Sequence, residues 1–210
     1  MRLYHSPMSS NARRAVMTAL YLDVDLELVT VDLRKGEQKA PEYLARNPNG
    51  KVPVLEDDGF ILTESHAIMQ YLTDKAALTD KKSRAEAIYP SGLKKRADVN
   101  RWLFWSAHHF QPTASILNWE RFVKPMLGLP EDPAEIAKGN ERIAILLDVL
   151  EHHLEGKKWV LGDDLTLADL ALATPLATAE KCAIPVAHYT NVARWFERVR
   201  ELEVWKRTGM

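Results

Sequence analysis

Asn47-Pro-Asn-Gly-Lys-Val-Pro-Val-Leu-Glu-Asp-Asp-Gly-Phe-Ile-Leu-Thr-Glu-Ser-His-Ala-Ile-Met-Gln-Tyr-Leu72 reads as a turn, a short strand, a tight hairpin, a second short strand and a helix. Leu55 and Leu62 flank Asp57-Asp58-Gly59, and aspartate followed by glycine supplies the backbone freedom that a two-residue hairpin needs. Thr63 or Glu64 then opens a helix whose apolar positions Ala67, Ile68, Tyr71 and Leu72 recur at helical spacing. Pro53 lacks the N–H that a ladder needs, so it marks an edge, a strand start or a cis turn.

Working outward, Arg2 to His5 is a short strand and Ser6-Pro-Met-Ser-Ser10 a turn. From Asn11 the small apolar residues Ala12, Ala15, Val16, Ala19 and Leu20 stripe one face of a helix. Leu26 to Val31 alternates as a second strand, and Pro41 to Ala45 forms a short helix. The order β-α-β-α-β-β-α predicts a compact α/β domain of about eighty residues with helices on the sheet faces. The starts of its first and last helices carry Ser9 with Ser10, and Glu64 with Ser65. Serines there act as ordinary caps, yet two such ends beside an interrupted strand also suit a small anionic ligand.

The remainder has little strand signal. The stretch from Thr73 to Gly92 reads as a polar linker in which Ser83-Arg-Ala-Glu86 has capping-box spacing. Leu93 to Phe110 is a long helix that Pro112 bends rather than ends. Ile136, Ile143, Leu146, Leu147, Leu150 and Leu154 mark the buried side of another. Thr166 and Asp169 form a second capping box, with Leu165 as its staple, ahead of a helix apolar nearly all round; that helix is expected at the centre of a helical domain. Val192 to Val199 and Glu201 to Lys206 give the last two helices. The predicted division is 1–76, a linker at 77–92, and an all-helical 93–210.

Composition narrows the function classes. Twenty-eight Lys plus Arg against 29 Asp plus Glu leave no basic field for nucleic acid or an anionic membrane. One cysteine, Cys182, excludes a disulfide framework and reads as a packing residue. Met1 to Ser6 lacks the apolar core of a signal peptide, which predicts a soluble, cytoplasmic protein. Most of the six tryptophans are expected in the core. The pairs His108-His109 and His152-His153 point about 100° apart on a helix without an acid or histidine at ligand spacing, so no metal site is expected.

Four segments carry a resemblance: Leu3 to Arg14, Asn47 to Pro53, Thr63-Glu-Ser65 and Thr166-Leu-Ala-Asp169. Together they resemble the soluble glutathione transferase family along essentially the full chain, and look most like its bacterial, serine-type or theta-like members. The resemblance implies a thioredoxin-like α/β domain that holds glutathione as co-substrate, followed by an all-α domain that supplies much of an electrophile pocket. It implies a cis Val52–Pro53 bond, with the Val52 backbone pairing with the cysteinyl part of glutathione. Glu64 and Ser65 would receive the γ-glutamyl end, and Lys51 with Gln38 or Lys39 would face the glycyl carboxylate. Ser9 matches the serine that meets the sulfur, ahead of Ser10, which matches the cysteine of bacterial cysteine-type enzymes. Tyr4 lies too early to be the tyrosine of the tyrosine-type enzymes. His66 and Gln38 depart from related sequences, which often carry arginine and histidine there. The electrophile pocket would draw on Met8, Trp105, Phe110 and Trp119.

The implied activity is conjugation of the glutathione thiolate to a small apolar electrophile, in a homodimer with Asp98 and Arg101 near its interface. Arg13 would add positive potential or pair with an acid in the fold. Dehalogenation, peroxide reduction, isomerisation, or a non-catalytic binding module on the same scaffold are the competing readings.

Overall fold

The structure is a computed structural model that describes residues 1–209. The chain separates into two compact units, Met1–Ser91 with the closing segment from Glu203, and Gly92–Leu202.

In the first unit, β1 (Arg2–His5), α1 (Ser10–Leu22), β2 (Glu27–Thr30), α2 (Pro41–Leu44), β3 (Val54–Asp57), β4 (Phe60–Leu62) and α3 (Ser65–Ala76) follow the expected order. The sheet order is β2-β1-β3-β4. β1 runs parallel to β2 and antiparallel to β3, and β3 pairs with β4 from Leu55↔Leu62 to Asp57↔Phe60. Asp58 and Gly59 both have positive φ, 49° and 86°. That is the mirror-image turn whose twist matches the flanking strands.

The alanines of α1 are buried, and α1 packs against α3, whose Ile68, Met69 and Leu72 are buried too. Small residues on one helix let the two backbones approach without leaving holes. Asp57 ties the hairpin to α3 by accepting hydrogen bonds from Tyr71 Oη (2.7 Å) and Lys75 Nζ. α4 (Lys82–Ile88) fills part of the expected linker. The Ser83–Glu86 capping box does not form: the helix starts at Lys82, so Ser83 lies inside its first turn, and Glu86 accepts from the N–H and hydroxyl of Ser91.

The second unit holds α5 (Leu93–Trp105), α6 (Gln111–Asn118), α7 (Lys124–Met126), α8 (Pro133–His153), α9 (Leu167–Ala173) and α10 (Thr190–Arg200); α11 (Glu203–Lys206) returns to the first unit. Wide π turns at Ser106–Phe110 and Trp119–Val123 join α5, α6 and α7 into one helical run. Each ends two residues before a proline, Pro112 or Pro125. A widened turn accommodates a residue that lacks an N–H and would strike the preceding turn's carbonyl. Gly139 lets α8 close on α6, since a Cβ there would lie 2.8 Å from Leu117 Cδ2.

All of α9 is buried. The Thr166–Asp169 box forms, and the Asp169 carboxylate also accepts from the Val160 N–H (2.8 Å) and Trp195 Nε1 (2.9 Å). The architecture is therefore a thioredoxin-like α/β unit followed by an all-helical one.

Candidate functional site

The strand register gathers the expected ligand residues at one end of the sheet. β1 is parallel to β2 and ends beside it at His5↔Thr30; antiparallel β3 starts at Val54, opposite Tyr4. β4 ends at Leu62, opposite Leu55. The Ser6–Ser9 turn, Val52-Pro53, Thr63-Glu64-Ser65 and the Glu37–Lys39 turn that follows β2 all leave from that same end.

Ser9 is the N-cap of α1, with its oxygen accepting from the Ala12 N–H at 3.2 Å. This is the ordinary cap role, and it uses one lone pair. The hydroxyl proton stays free to donate elsewhere. Ser10 is the first residue of the helix, and Met8 in the preceding turn is exposed.

The Val52–Pro53 bond is cis. The Lys51 carbonyl accepts from Tyr43 Oη (2.9 Å) and Asn47 Nδ2 (2.7 Å), and the Asn47 Oδ1 accepts from the Asn49 N–H. Those bonds fix the loop, while the backbone N–H and C=O of Val52 have no partner among the described residues. Such an edge is a ready strand-pairing surface for an extended ligand.

The start of α3 has no side-chain cap. Its N-cap Glu64 has φ +66°, and the N–H groups of Ser65 and Ala67 take no partner among the described residues. Unpaired donors at a positive helix end favour a carboxylate. The side-chain oxygen of Gln38 is buried without a partner. Gly50 comes close to the same turn, its Cβ position lying 3.1 Å from the Gln38 carbonyl oxygen. Lys39 and Lys51 are exposed.

The architecture finds its counterpart in known proteins. A family model described as glutathione S-transferase, N-terminal domain, matches residues 1–74, and its C-terminal domain model matches residues 110–203. The chain belongs to the glutathione S-transferase family. It is 36% identical over 211 residues to glutathione S-transferase 3 of Zea mays, covering 99% of this chain and 92% of that one. Glutathione transferase F7 from Populus trichocarpa has a TM-score of 0.89 at 32% identity, with 99% and 96% of the two chains covered. Glutathione S-transferase I from maize, solved with an atrazine glutathione conjugate, has a TM-score of 0.84 at 29% identity over 99% and 95% of the chains. These relatives are plant proteins, so the bacterial or theta-like placement finds no support.

Other residues of this transferase lie as follows. Tyr4 Oη donates to Glu56 (2.9 Å), so its hydroxyl serves the sheet. Among the described residues Arg13 pairs with no acid: its guanidinium lies 3.7 Å over the Trp205 ring and donates to the Trp205 carbonyl (2.9 Å) and Thr208 Oγ1 (3.2 Å). Burial lowers its pKa to about 10, which keeps it charged at neutral pH.

In the second unit Trp105 stacks on Phe110, with centroids 5.5 Å apart, and Trp119 is exposed. Phe110 has no exposed surface (0%), so here it packs the unit's interior and presents nothing to a substrate, contrary to the pocket role expected for it. Asp98 and Arg101 pair with each other at 2.8 Å on an exposed helix face. Cys182 is buried beside Thr178 and Asn118, and burial pushes its thiol up, as a packing residue requires.

Among the described residues no group of three His, Cys, Asp or Glu side chains is placed to hold a metal ion, and no helix is long and apolar enough to cross a membrane. Sequence reasoning missed Tyr43 and Asn47, whose hold on the Lys51 carbonyl spans a turn. It also missed Arg14, whose partner His66 is 52 positions away.

Proposed function

We propose that this chain conjugates the thiolate of glutathione to small apolar electrophiles by nucleophilic addition or substitution. The observation that carries the reading is the unpaired Val52 backbone edge at the same sheet end as the Ser9 hydroxyl and the uncapped start of α3. Glutathione would lie extended along Val52. Its γ-glutamyl carboxylate would meet the N–H groups and Ser65 at the start of α3, with Glu64 facing its ammonium. Its glycyl carboxylate would lie toward Lys51, Lys39 and the Gln38 amide. The conjugate in the maize relative is consistent with this class of chemistry.

A thiol of pKa about 8.5 is only a few per cent ionised at neutral pH. A hydroxyl donor and the positive end of α1 both favour the anion. Lowering the pKa by one unit needs about 1.4 kcal/mol of preferential stabilisation, within reach of one charge-assisted hydrogen bond plus a helix-end contribution. Ser9 then acts as a donor to sulfur, neither as nucleophile nor as base. The Ala12 N–H on its lone pair keeps the hydroxyl oriented.

Met8, Trp105 and Trp119 are proposed to contact the electrophile, and Ser10 is the reserve donor. A homodimer and a cytoplasmic setting complete the proposal; sedimentation at micromolar concentration checks the first.

The deciding experiment compares wild type with Ser9→Ala and Ser10→Ala in conjugating 1-chloro-2,4-dinitrobenzene across pH. Ser9→Ala should lower kcat/KM by about ten- to a hundredfold, a loss of roughly 1.4–2.7 kcal/mol, and move the rising limb of the pH profile upward. An unchanged rate and profile in Ser9→Ala, with the loss appearing in Ser10→Ala, would move the role to Ser10. Loss in neither would refute a serine donor.

A further inference from the structure

Arg13 is a buried cation (6% exposed) whose side-chain hydrogen bonds, among the described residues, all end on the closing segment of the chain. Its guanidinium carbon lies 3.7 Å from the centre of the Trp205 ring, Nη2 donates to the Trp205 carbonyl at 2.9 Å, and Nε donates to Thr208 Oγ1 at 3.2 Å. Thr208 Oγ1 in turn donates to the Val204 carbonyl at 2.7 Å. Val204 and Trp205 are buried, and α11 with the residues after it is part of the first unit. A cation leaves water only where oxygen acceptors and an aromatic face take the place of its hydration. For Arg13 those groups come from a segment 192 positions away.

The other end of Arg13 closes the turn that carries Ser9. Its backbone N–H donates to the Ser9 carbonyl at 2.8 Å, while Ser9 Oγ accepts from the Ala12 N–H at 3.2 Å. Helix ends fray, because their first turn has the fewest bonds to hold it. Here the residue that closes the first turn is itself anchored through its side chain. We infer that the Arg13–Trp205 contact is a clamp that positions Ser9: α11 holds the first turn of α1 closed, and with it the direction of the Ser9 hydroxyl toward the glutathione sulfur. This rests on the proposed glutathione site and adds to it two positioning residues, Arg13 and Trp205. The anchor acts through the geometry of the turn, and the charge of Arg13 is not itself the agent.

The test compares wild type with Trp205→Leu and Trp205→Phe in the full chain, using glutathione and 1-chloro-2,4-dinitrobenzene across pH. Trp205→Leu keeps the Arg13 charge and the backbone carbonyl but removes the ring. A misdirected hydroxyl no longer favours the thiolate, so this variant should be about tenfold slower in kcat/KM at pH 6.5. It should approach wild type at high pH, where the thiol ionises unaided, which places its rising limb about one pH unit higher. Trp205→Phe keeps an aromatic face under the guanidinium and should stay within about twofold of wild type. A role in folding alone would scale the rate equally at every pH and leave the limb in place.

An unmoved limb in Trp205→Leu, or Trp205→Phe as impaired as Trp205→Leu, would overturn the inference. If Trp205→Leu does not fold, Thr208→Val takes the place of the test: it removes one acceptor from Arg13, should cost about two- to threefold at pH 6.5, and overturns the clamp if its profile is that of wild type. Combining Trp205→Leu with Ser9→Ala separates the clamp from the site on which it acts. With no hydroxyl left to direct, Trp205→Leu should move the limb no further, and a further shift would overturn the inference. If Ser9→Ala alone matched wild type, the donor reading and the clamp would fall together, whereas a slow Ser9→Ala with an indifferent Trp205→Leu would remove the clamp alone.

Discussion

Two helix starts, one in each unit, are finished in opposite ways. At α9 the chain supplies its own cap: Asp169 accepts from the N–H of Thr166 and of Val160 and from the indole of Trp195, and every residue of the helix is buried. At α3 no side chain caps the helix, and N–H groups are left without partners among the described residues. The first end is saturated and holds the helical unit together. The second keeps unused donors at the sheet end where a carboxylate-bearing ligand can reach them. A helix start whose donors are answered from within the fold stabilises it, and one whose donors are left to solvent is open to an anion.

The largest expected effect comes from emptying the saturated end. Asp169→Ala removes the acceptor for several buried donors at once, and each orphaned buried group costs about 1–3 kcal/mol. A total loss of roughly 3–5 kcal/mol in urea unfolding is expected, with glutathione affinity per folded molecule unchanged. A loss under about 1 kcal/mol would show that α9 does not depend on this cap.

The carboxylates also differ in the sign of their pH dependence. Burial pushes Asp169 up to about 6 despite its four donors. Its folded value lies above the unfolded one near 3.9, so its contribution to stability is fully present below about pH 4 and is lost as pH rises toward about 6. Asp57 is the reverse: the hydrogen bonds from Lys75 and then Tyr71 hold it below the usual carboxylate range. Its contribution is present above about pH 4 and disappears as the pH falls through that lowered value. Stability measured between pH 2 and 7 should therefore lose its acid-side fall in part with Asp57→Asn, and its decline from pH 4 to 6 with Asp169→Asn. The same slope in both variants as in wild type would remove these groups from the account.

What the sequence revealed and what it hid divide along range. The Asp58-Gly59 hairpin and the Thr166–Asp169 box involve residues within three or four positions, and local chemistry specifies them. The Ser83–Glu86 spacing looked equally local and failed, because the helix starts at Lys82 and leaves Ser83 inside its first turn. The π turn ahead of Pro112 was visible only as a helix that bends, and the one ahead of Pro125 was not foreseen. Arg14 with His66 and Tyr43 with Lys51 were hidden, because a donor's partner is set by how elements pack and not by spacing. The open end was legible in part, as two helix starts beside an interrupted strand that suit a small anion, but no local rule says that a cap will be missing.

A milder change sharpens the comparison at the loop beside Pro53. Tyr43→Phe removes one of two donors to the Lys51 carbonyl and leaves Asn47 in place. A cost of about 1 kcal/mol is expected, together with a two- to fivefold rise in glutathione KM at constant kcat. A fall in kcat with KM unchanged would mean that the loop acts on the sulfur and not on the peptide backbone.

The smallest change in stability should accompany one of the clearest changes in chemistry. Ser9 has two tasks, capping α1 through its oxygen and, on the proposed mechanism, donating its proton to sulfur. Glycine is nearly as good an N-cap as serine, so Ser9→Gly should cost only a few tenths of a kcal/mol, whereas Ser9→Ala should cost about 1 kcal/mol. Both lack the hydroxyl. If the hydroxyl's value to the enzyme is chemical, the two variants should be equally slow while differing in stability. If its value is only to start the helix, activity should follow stability and Ser9→Gly should remain near wild type. Unfolding midpoints and kcat/KM measured on the same two preparations separate a cap from a donor at the start of α1.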